Sequence, residues 1–124
     1  MENLPISKEV KKKQFLVIKK GLTYLTIKTE DISYIYTVKD VVYIVNHEGK
    51  KFSSSQNLNA LEKELDDRFF RANRQCIINI HFIRSFRPHE NNKLMVEMNI
   101  NSTNVMINVS QVTAPKFKDW ILNF

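Results

Sequence analysis

Hydrophobic and polar residues alternate along most of this chain with the two-residue period of β-strands. Isoleucine, valine, tyrosine, phenylalanine and threonine, which favour strands, fill segments of about four to eight residues. Short polar turns separate these segments, for example at 19–21, 39–40 and 47–49. The pattern predicts roughly eight to ten short strands, joined mainly as antiparallel hairpins.

Two segments break this period and follow the spacing of helices instead. The first has Asn57 as a predicted N-cap and one apolar face formed by Leu58, Leu61 and Leu65. The second has Thr113 as a predicted N-cap and a buried face formed by Phe117, Trp120 and Ile121. The sequence therefore predicts a mostly β fold with two short helices.

Length and charge narrow the class of protein and the kind of partner. The chain has 124 residues, which fits a single domain. Its 19 basic and 13 acidic residues give a net charge of +6, which favours nucleic acid first and an anionic membrane surface second. A membrane partner would use the lysines between Lys8 and Lys20. We predict a basic linker or disordered start at residues 1–14 and one domain at residues 15–124.

The residue types that carry most enzyme chemistry are sparse here. Cys76 is the only cysteine, so no disulfide can form within the chain, which fits a reducing cytoplasm. The three histidines lack metal-ligand spacing, and two glycines cannot build a glycine-rich phosphate loop. No apolar run approaches the ~20 residues of a membrane span. We therefore expect no enzyme activity, metal, cofactor or membrane span, and a buried, inert Cys76.

The arginines are concentrated in one stretch of the chain. All five lie between Arg68 and Arg87, and no acidic residue falls in that interval. The polar segment from Arg71 to Gln75 has apolar residues on both sides, which predicts a turn that the core holds at both ends. A held turn suits a function that needs guanidinium groups in fixed positions. Arg71 has two interpretations, a phosphate contact or a structural ion pair with Asp66 or Asp67.

The order and spacing of several motifs resemble the LytTR DNA-binding domain. The similar segments are Asp31-Ile32-x-Tyr34-Ile35, the leucines at 58, 61 and 65, the run from Phe69 to Asn79, then Ile83 and Val109-Ser110. The Phe-Phe-Arg segment with the polar turn after it is the most specific element. The resemblance covers residues 15–121, nearly all of the predicted domain.

The resemblance implies an elongated β fold of small antiparallel sheets with two short helices. It implies sequence-specific binding of double-stranded DNA through loops that enter the major groove, and a role in transcriptional regulation. Such domains usually form the output half of bacterial response regulators in two-component systems, and commonly act as homodimers on repeated half-sites. A receiver domain or a sensor kinase is therefore an expected partner, and the cytoplasm is the expected location.

The resemblance also places three DNA-contacting loops on this sequence, at the 39–40 turn, the 71–75 segment and the 110–111 segment. Asparagine can pair with adenine and arginine with guanine in the major groove. Many family members carry arginine in the third loop, where this chain has Gln111. That departure favours an alternative function, a LytTR-fold protein-interaction module with weak or lost DNA binding. The implied contact residues are Lys39, Asp40, Arg71, Asn73, Arg74, Gln75, Ser110 and Gln111.

Overall fold

The computed structural model describes residues 12–124, and within that range it contains ten β-strands and two α-helices. The strands are β1 (Phe15–Lys20), β2 (Thr23–Lys28), β3 (Ile32–Val38), β4 (Val41–Asn46), β5 (Lys51–Ser54), β6 (Phe69–Asn73), β7 (Cys76–Asn79), β8 (Ile83–His89), β9 (Lys93–Ile100) and β10 (Thr103–Val109). The helices are α1 (Leu58–Glu64) and α2 (Ala114–Leu122). The predicted mostly β fold with two short helices is confirmed.

The predicted linker at residues 1–14 lies mostly outside the described residues, since the description starts at Lys12. Two of its last residues already bond to the domain. The amide of Lys13 donates to the Glu64 carbonyl at 2.9 Å, and the Gln14 carbonyl accepts from the Thr29 amide at 2.9 Å. These bonds attach the beginning of the described chain to α1 and to the end of β2.

The strands form three small antiparallel sheets. The central sheet has five strands in the order β5-β4-β3-β7-β6, and β1 pairs with β2 in a separate hairpin. A three-stranded sheet has the order β10-β9-β8. Because β3 and β7 are neighbours in the central sheet, the β3–β4 and β6–β7 hairpins lie side by side.

Opposite faces of the central sheet pack into two separate cores, because successive residues of a strand point to opposite faces. Ile77 joins Ile35 and Ile44 in the first core, whereas its neighbours Cys76 and Ile78 belong to the second. All five side chains are buried. The apolar run at the start of β7 is continuous because both faces of that strand are covered.

Helix α1 and the β1–β2 hairpin contribute to the first core. The predicted N-cap is confirmed, because Oδ1 of Asn57 accepts from the Ala60 amide at 2.8 Å. The predicted apolar face is also confirmed, since Leu58, Leu61 and Leu65 are all buried. The helix packs on β3 and β7, which places its first turn next to β6 and the turn that follows it.

The three-stranded sheet and α2 contribute to the second core. Phe117 of α2 is fully buried and meets the edges of Phe70 and Phe86, while Trp120 stacks on Phe70 at 4.9 Å. Thr113 stands at the N-cap position of α2 as predicted, but its side chain makes no capping hydrogen bond. Its backbone is already helical (φ −89°, ψ −18°), whereas a capping residue needs an extended backbone, and its hydroxyl accepts from Ser110 instead.

Candidate nucleic-acid interface

Three polar turns meet at one end of the central sheet. They are Lys39–Asp40 between β3 and β4, Arg74–Gln75 between β6 and β7, and residues 110–113 after β10. The Thr37 amide donates to the Gln75 carbonyl at 2.9 Å, and the Ser110 amide donates to the Ala72 carbonyl at 3.2 Å. These bonds join the three turns into one row, which we call the tip edge. The structure thus brings the three segments implied by the sequence resemblance together.

The first turn of the tip edge has an unusual backbone. Lys39 and Asp40 have φ values of +50° and +65°, the left-handed region that both central residues of a type I′ hairpin turn adopt. The Thr37 hydroxyl donates to the Val41 carbonyl at 3.0 Å, across the base of the turn. Both turn residues are exposed, so the ammonium and the carboxylate point away from the core.

The second turn is shaped by the carboxamide of Asn73. Its Oδ1 accepts from the Gln75 amide at 2.7 Å, and its Nδ2 donates to the Asn108 carbonyl at 2.6 Å. The side chain therefore closes the β6–β7 turn and ties it to β10. Arg74 and Gln75 are exposed at the top of this turn, where their side chains are accessible to a ligand.

Arg71 lies beneath this turn and makes four hydrogen bonds. Its Nε donates to the Asn73 carbonyl at 2.8 Å, and its Nη2 donates to the Arg74 carbonyl at 2.7 Å. Its Nη1 donates to Asn59 at 2.9 Å and forms an ion pair with Glu62 at 3.0 Å. The predicted pairing with Asp66 or Asp67 is wrong, because Asp66 pairs with Arg68 and the turn of α1 nearest to Arg71 presents Glu62.

The third turn follows β10 and flanks the second. The Ser110 hydroxyl donates to the Thr113 hydroxyl at 2.7 Å, and the Ser110 carbonyl accepts the amides of Thr113 and Ala114. Gln111 and Val112 are exposed, Val112 to 85%. An open groove of about 720 Å³ lies between this turn and the β6–β7 turn, and Asn59 of α1 also lines it.

Sequence reasoning missed three residues of this region. Asn59 and Glu62 hold the Arg71 guanidinium, and the Asn108 carbonyl holds Asn73. A helical pattern places Asn59 and Glu62 on the polar side of α1 but does not show what that side faces. No signal in the sequence marks the Asn108 carbonyl, because every residue has one.

The tip edge is a row of hydrogen-bond donors on stiff turns, including the exposed Lys39, Arg74, Gln75 and Gln111. Such groups match the phosphate oxygens and base-edge acceptors of a nucleic acid. The family model of the LytTr DNA-binding domain matches residues 23–122, which is most of the chain and includes the whole tip edge.

The chain belongs to the LytTR DNA-binding domain family.

A solved structure confirms the LytTR fold. It is a LytTr DNA-binding domain from Bacillus cereus, described as part of a methyl-accepting/DNA response regulator. The two structures agree with a TM-score of 0.77 at 21% sequence identity, over 90% of this chain and 99% of the other. No curated protein matches the chain at a significant level.

Residues 12–124 of this LytTR domain were also compared with the requirements of a metal site, a reactive thiol and a membrane-spanning helix. That part of the chain holds no group of three or more His, Cys, Asp or Glu side chains that could bind a metal ion. Burial raises the pKa of the Cys76 thiol to about 12, which keeps it protonated at neutral pH. None of the described helices is long and apolar enough to cross a bilayer.

Proposed function

We propose that this domain binds double-stranded DNA sequence-specifically through the tip edge and acts in transcriptional regulation. The observation that carries the proposal is the meeting of three turns, distant in sequence, in one exposed row. Turns of this kind can enter the major groove, where each base pair presents a distinct pattern of donors and acceptors. The function is binding, and no reaction is needed.

The side chains of the tip edge divide into three roles. Arg74 is placed to pair with guanine, and the amides of Gln75 and Gln111 are suited to adenine. Lys39 supplies a phosphate contact near the first turn, with Asp40 available to accept from cytosine. Ser110, Asn73 and Arg71 have their polar groups bonded within the protein, so we assign them to holding the turns in shape.

The regulatory setting follows from the family resemblance. We propose that the domain works in the bacterial cytoplasm as the output of a two-component system, as a homodimer on repeated half-sites. A receiver domain or a sensor kinase would supply the input. Dimeric binding predicts a DNA site with two copies of one short sequence at a fixed spacing.

The test is an unbiased selection of bound duplexes from random DNA with the full chain. We expect one enriched motif that occurs twice at a constant spacing. Titration of the selected duplex over a range of salt concentrations should then give a steep loss of affinity. If no motif is enriched after repeated rounds, the proposal of sequence-specific binding is wrong.

A second function, a protein-interaction module that retains the fold, is favoured by one observation. Residues 110–113 contain no basic side chain, and Val112 is 85% exposed. An exposed apolar side chain suits a protein surface better than a phosphate backbone. A nearly flat dependence of DNA binding on salt, without motif enrichment, would support this function instead.

A further inference from the structure

Three exposed valines lie on or beside the tip edge. Val38 and Val41 pair with each other at the base of the first turn and are 49% and 37% exposed. Val112 belongs to the third turn and is 85% exposed. Valine favours strands, which accounts for Val38 and Val41. It does not account for Val112, because turns favour small polar residues and this side chain buries almost nothing.

Val112 stands beside side chains that the proposed function assigns to bases. It lines the open groove between the second and third turns together with Arg74 and Gln75. Gln111 precedes it in the third turn and is also exposed. A ligand that enters this groove therefore meets hydrogen-bond donors and the two methyl groups of Val112 at the same time.

The polar groups at either end of the third turn are used within the protein. The Ser110 hydroxyl donates to the Thr113 hydroxyl at 2.7 Å, and both residues are partly covered. The side chains that the turn exposes are the carboxamide of Gln111 and the isopropyl group of Val112. One polar and one apolar group thus stand next to each other at the surface.

This pair of side chains matches the chemistry of an A·T base pair. Among the four bases, only thymine presents a methyl group in the major groove. Its partner adenine presents N7 and the N6 amino group, which one carboxamide can bind together. A phosphate backbone has no apolar group, so a backbone contact would leave the valine methyls without a partner.

We propose that Val112 determines specificity by contacting the C5 methyl group of a thymine, in the same half-site as the base that Arg74 reads. The inference rests on the proposed function and names one feature of the DNA that this function requires. The contact removes apolar surface of both partners from water, which favours thymine over a base without the methyl group. Because Arg74 and Val112 line one groove, both can meet the same stretch of duplex.

A protein partner is the competing ligand for Val112. A stable protein interface buries about 800 Å² on each side and has an apolar centre. Within residues 110–113, however, Val112 is the only large hydrophobic residue that is exposed, and its neighbours in the groove are mainly polar. A single apolar side chain among donors fits one methyl group better than an apolar interface.

The experiment replaces the thymines of the selected duplex by deoxyuridine, one at a time. Deoxyuridine pairs with adenine in the same way and lacks only the C5 methyl group. Affinity is measured for the full chain, for Val112→Ser and for Val17→Ser, and circular dichroism checks that the variants are folded. Val17 is the matched control, because it is 61% exposed and belongs to β1, outside the tip edge. Serine suits the turn at position 112.

At one thymine we expect deoxyuridine to weaken binding of the parent chain about threefold to fourfold, the factor that corresponds to burial of one methyl group. Val112→Ser should bind the unmodified duplex more weakly by about the same factor, and should not respond to deoxyuridine at that thymine. Val17→Ser should behave like the parent chain. The slope of log affinity against log salt should stay the same throughout, because no charge changes.

A selected motif in which no thymine responds to deoxyuridine would overturn the inference and leave the proposed function intact. So would an equal response in the parent chain and Val112→Ser, which would assign the methyl group to another contact or to the shape of the DNA. Equal affinity of both proteins for the unmodified duplex would overturn it as well, in favour of a protein partner. Absence of any selected motif is a different result, since it overturns the proposed function together with the inference.

Discussion

Two arginines three residues apart have opposite environments. Arg74 is exposed at the top of the β6–β7 turn, whereas the side chain of Arg71 is 23% exposed and bonds to Asn59, Glu62 and two backbone carbonyls. The two guanidinium groups therefore differ in what they offer a ligand. Arg74 is accessible to a ligand, and Arg71 shapes the turn that presents it.

Replacing Arg74 by alanine should relax specificity at one base pair and cost about 1–3 kcal/mol of binding free energy on the selected duplex. The physical reason is the loss of a bidentate hydrogen bond to guanine. The measurement is a titration of the selected duplex and of single-base variants of it. Arg84→Ala is the matched control, because Arg84 is 62% exposed on β8 and its ion pair with Glu97 is only at 4.0 Å. Equal losses for both variants would contradict a base contact by Arg74.

Asn79 is a buried polar residue whose role is structural. It is fully buried, its Nδ2 donates to the Ile32 carbonyl at 2.8 Å, and its Oδ1 accepts from the His81 amide at 3.0 Å. This environment agrees with its position directly after the Cys76–Ile78 run of β7. The side chain joins the end of β7 to the start of β3.

Asn79→Ala should lower the free energy of unfolding by about 1–3 kcal/mol, because it leaves the buried Ile32 carbonyl and the partly buried His81 amide without partners. Urea denaturation followed by tryptophan fluorescence measures the change. Asn99→Ala serves as the control, since Asn99 is exposed and its bond to Asn104 is long, at 3.4 Å. A midpoint for the Asn79 variant as high as that of the control would show that water replaces both bonds.

At the scale of elements, Arg71 links α1 to the β6–β7 turn. One planar guanidinium contacts the helix through Asn59 and Glu62 and the turn through the carbonyls of Asn73 and Arg74. A lysine at this position has a single ammonium and cannot span the same acceptors. The helix thus acts as a support for the shape of the turn.

Arg71→Lys should reduce affinity for the selected duplex about tenfold while leaving the salt slope unchanged, because the charge stays but the turn loses its support. Glu62→Gln should have a smaller effect, since glutamine keeps an acceptor for the same donor. The readout is affinity on the selected and unrelated duplexes over a range of salt. A slope that falls by about 0.9 with specificity intact would instead identify Arg71 as a phosphate ligand.

At the scale of the whole molecule, packing in the second core shields the thiol of Cys76 from solvent. Cys76 is 5% exposed in the second core, and its pKa of about 12 lies above its ordinary value of 9.0 because the buried thiolate lacks water. The protonated form is favoured by the fold. This contribution to stability is complete below pH 9.0 and declines as the pH rises toward about 12.

We expect iodoacetamide at pH 8 to modify Cys76 in urea-unfolded protein but not in folded protein, because the thiol is buried and its raised pKa keeps it protonated. The measurement is the mass of the protein after a fixed reaction time. The unfolded sample controls for the reagent. Rapid modification of the folded protein would contradict the buried position of β7 between two covered faces.

The local pattern of the sequence determined the elements of this protein. Most strands were defined by their residue pattern, because a strand with one covered face alternates apolar and polar residues and a strand with two covered faces is continuously apolar. The spacing of three leucines defined α1, and Asn57 marked its N-cap. The family motifs identified the turns that carry candidate DNA contacts. The strands, the helix and its cap each depend on residues within a few positions of one another, and the family motifs depend on their order along the chain, so the sequence alone was sufficient for both.

Only the tertiary structure decided which groups meet. The bond between Asn73 and the Asn108 carbonyl spans 35 residues, and the contacts of Arg71 with Glu62 and Asn59 depend on how α1 packs on the central sheet. The position of the β1–β2 hairpin beside β5 also depends on sheet packing. Such contacts follow from the register and stacking of whole elements, which side-chain periodicity along the chain does not encode.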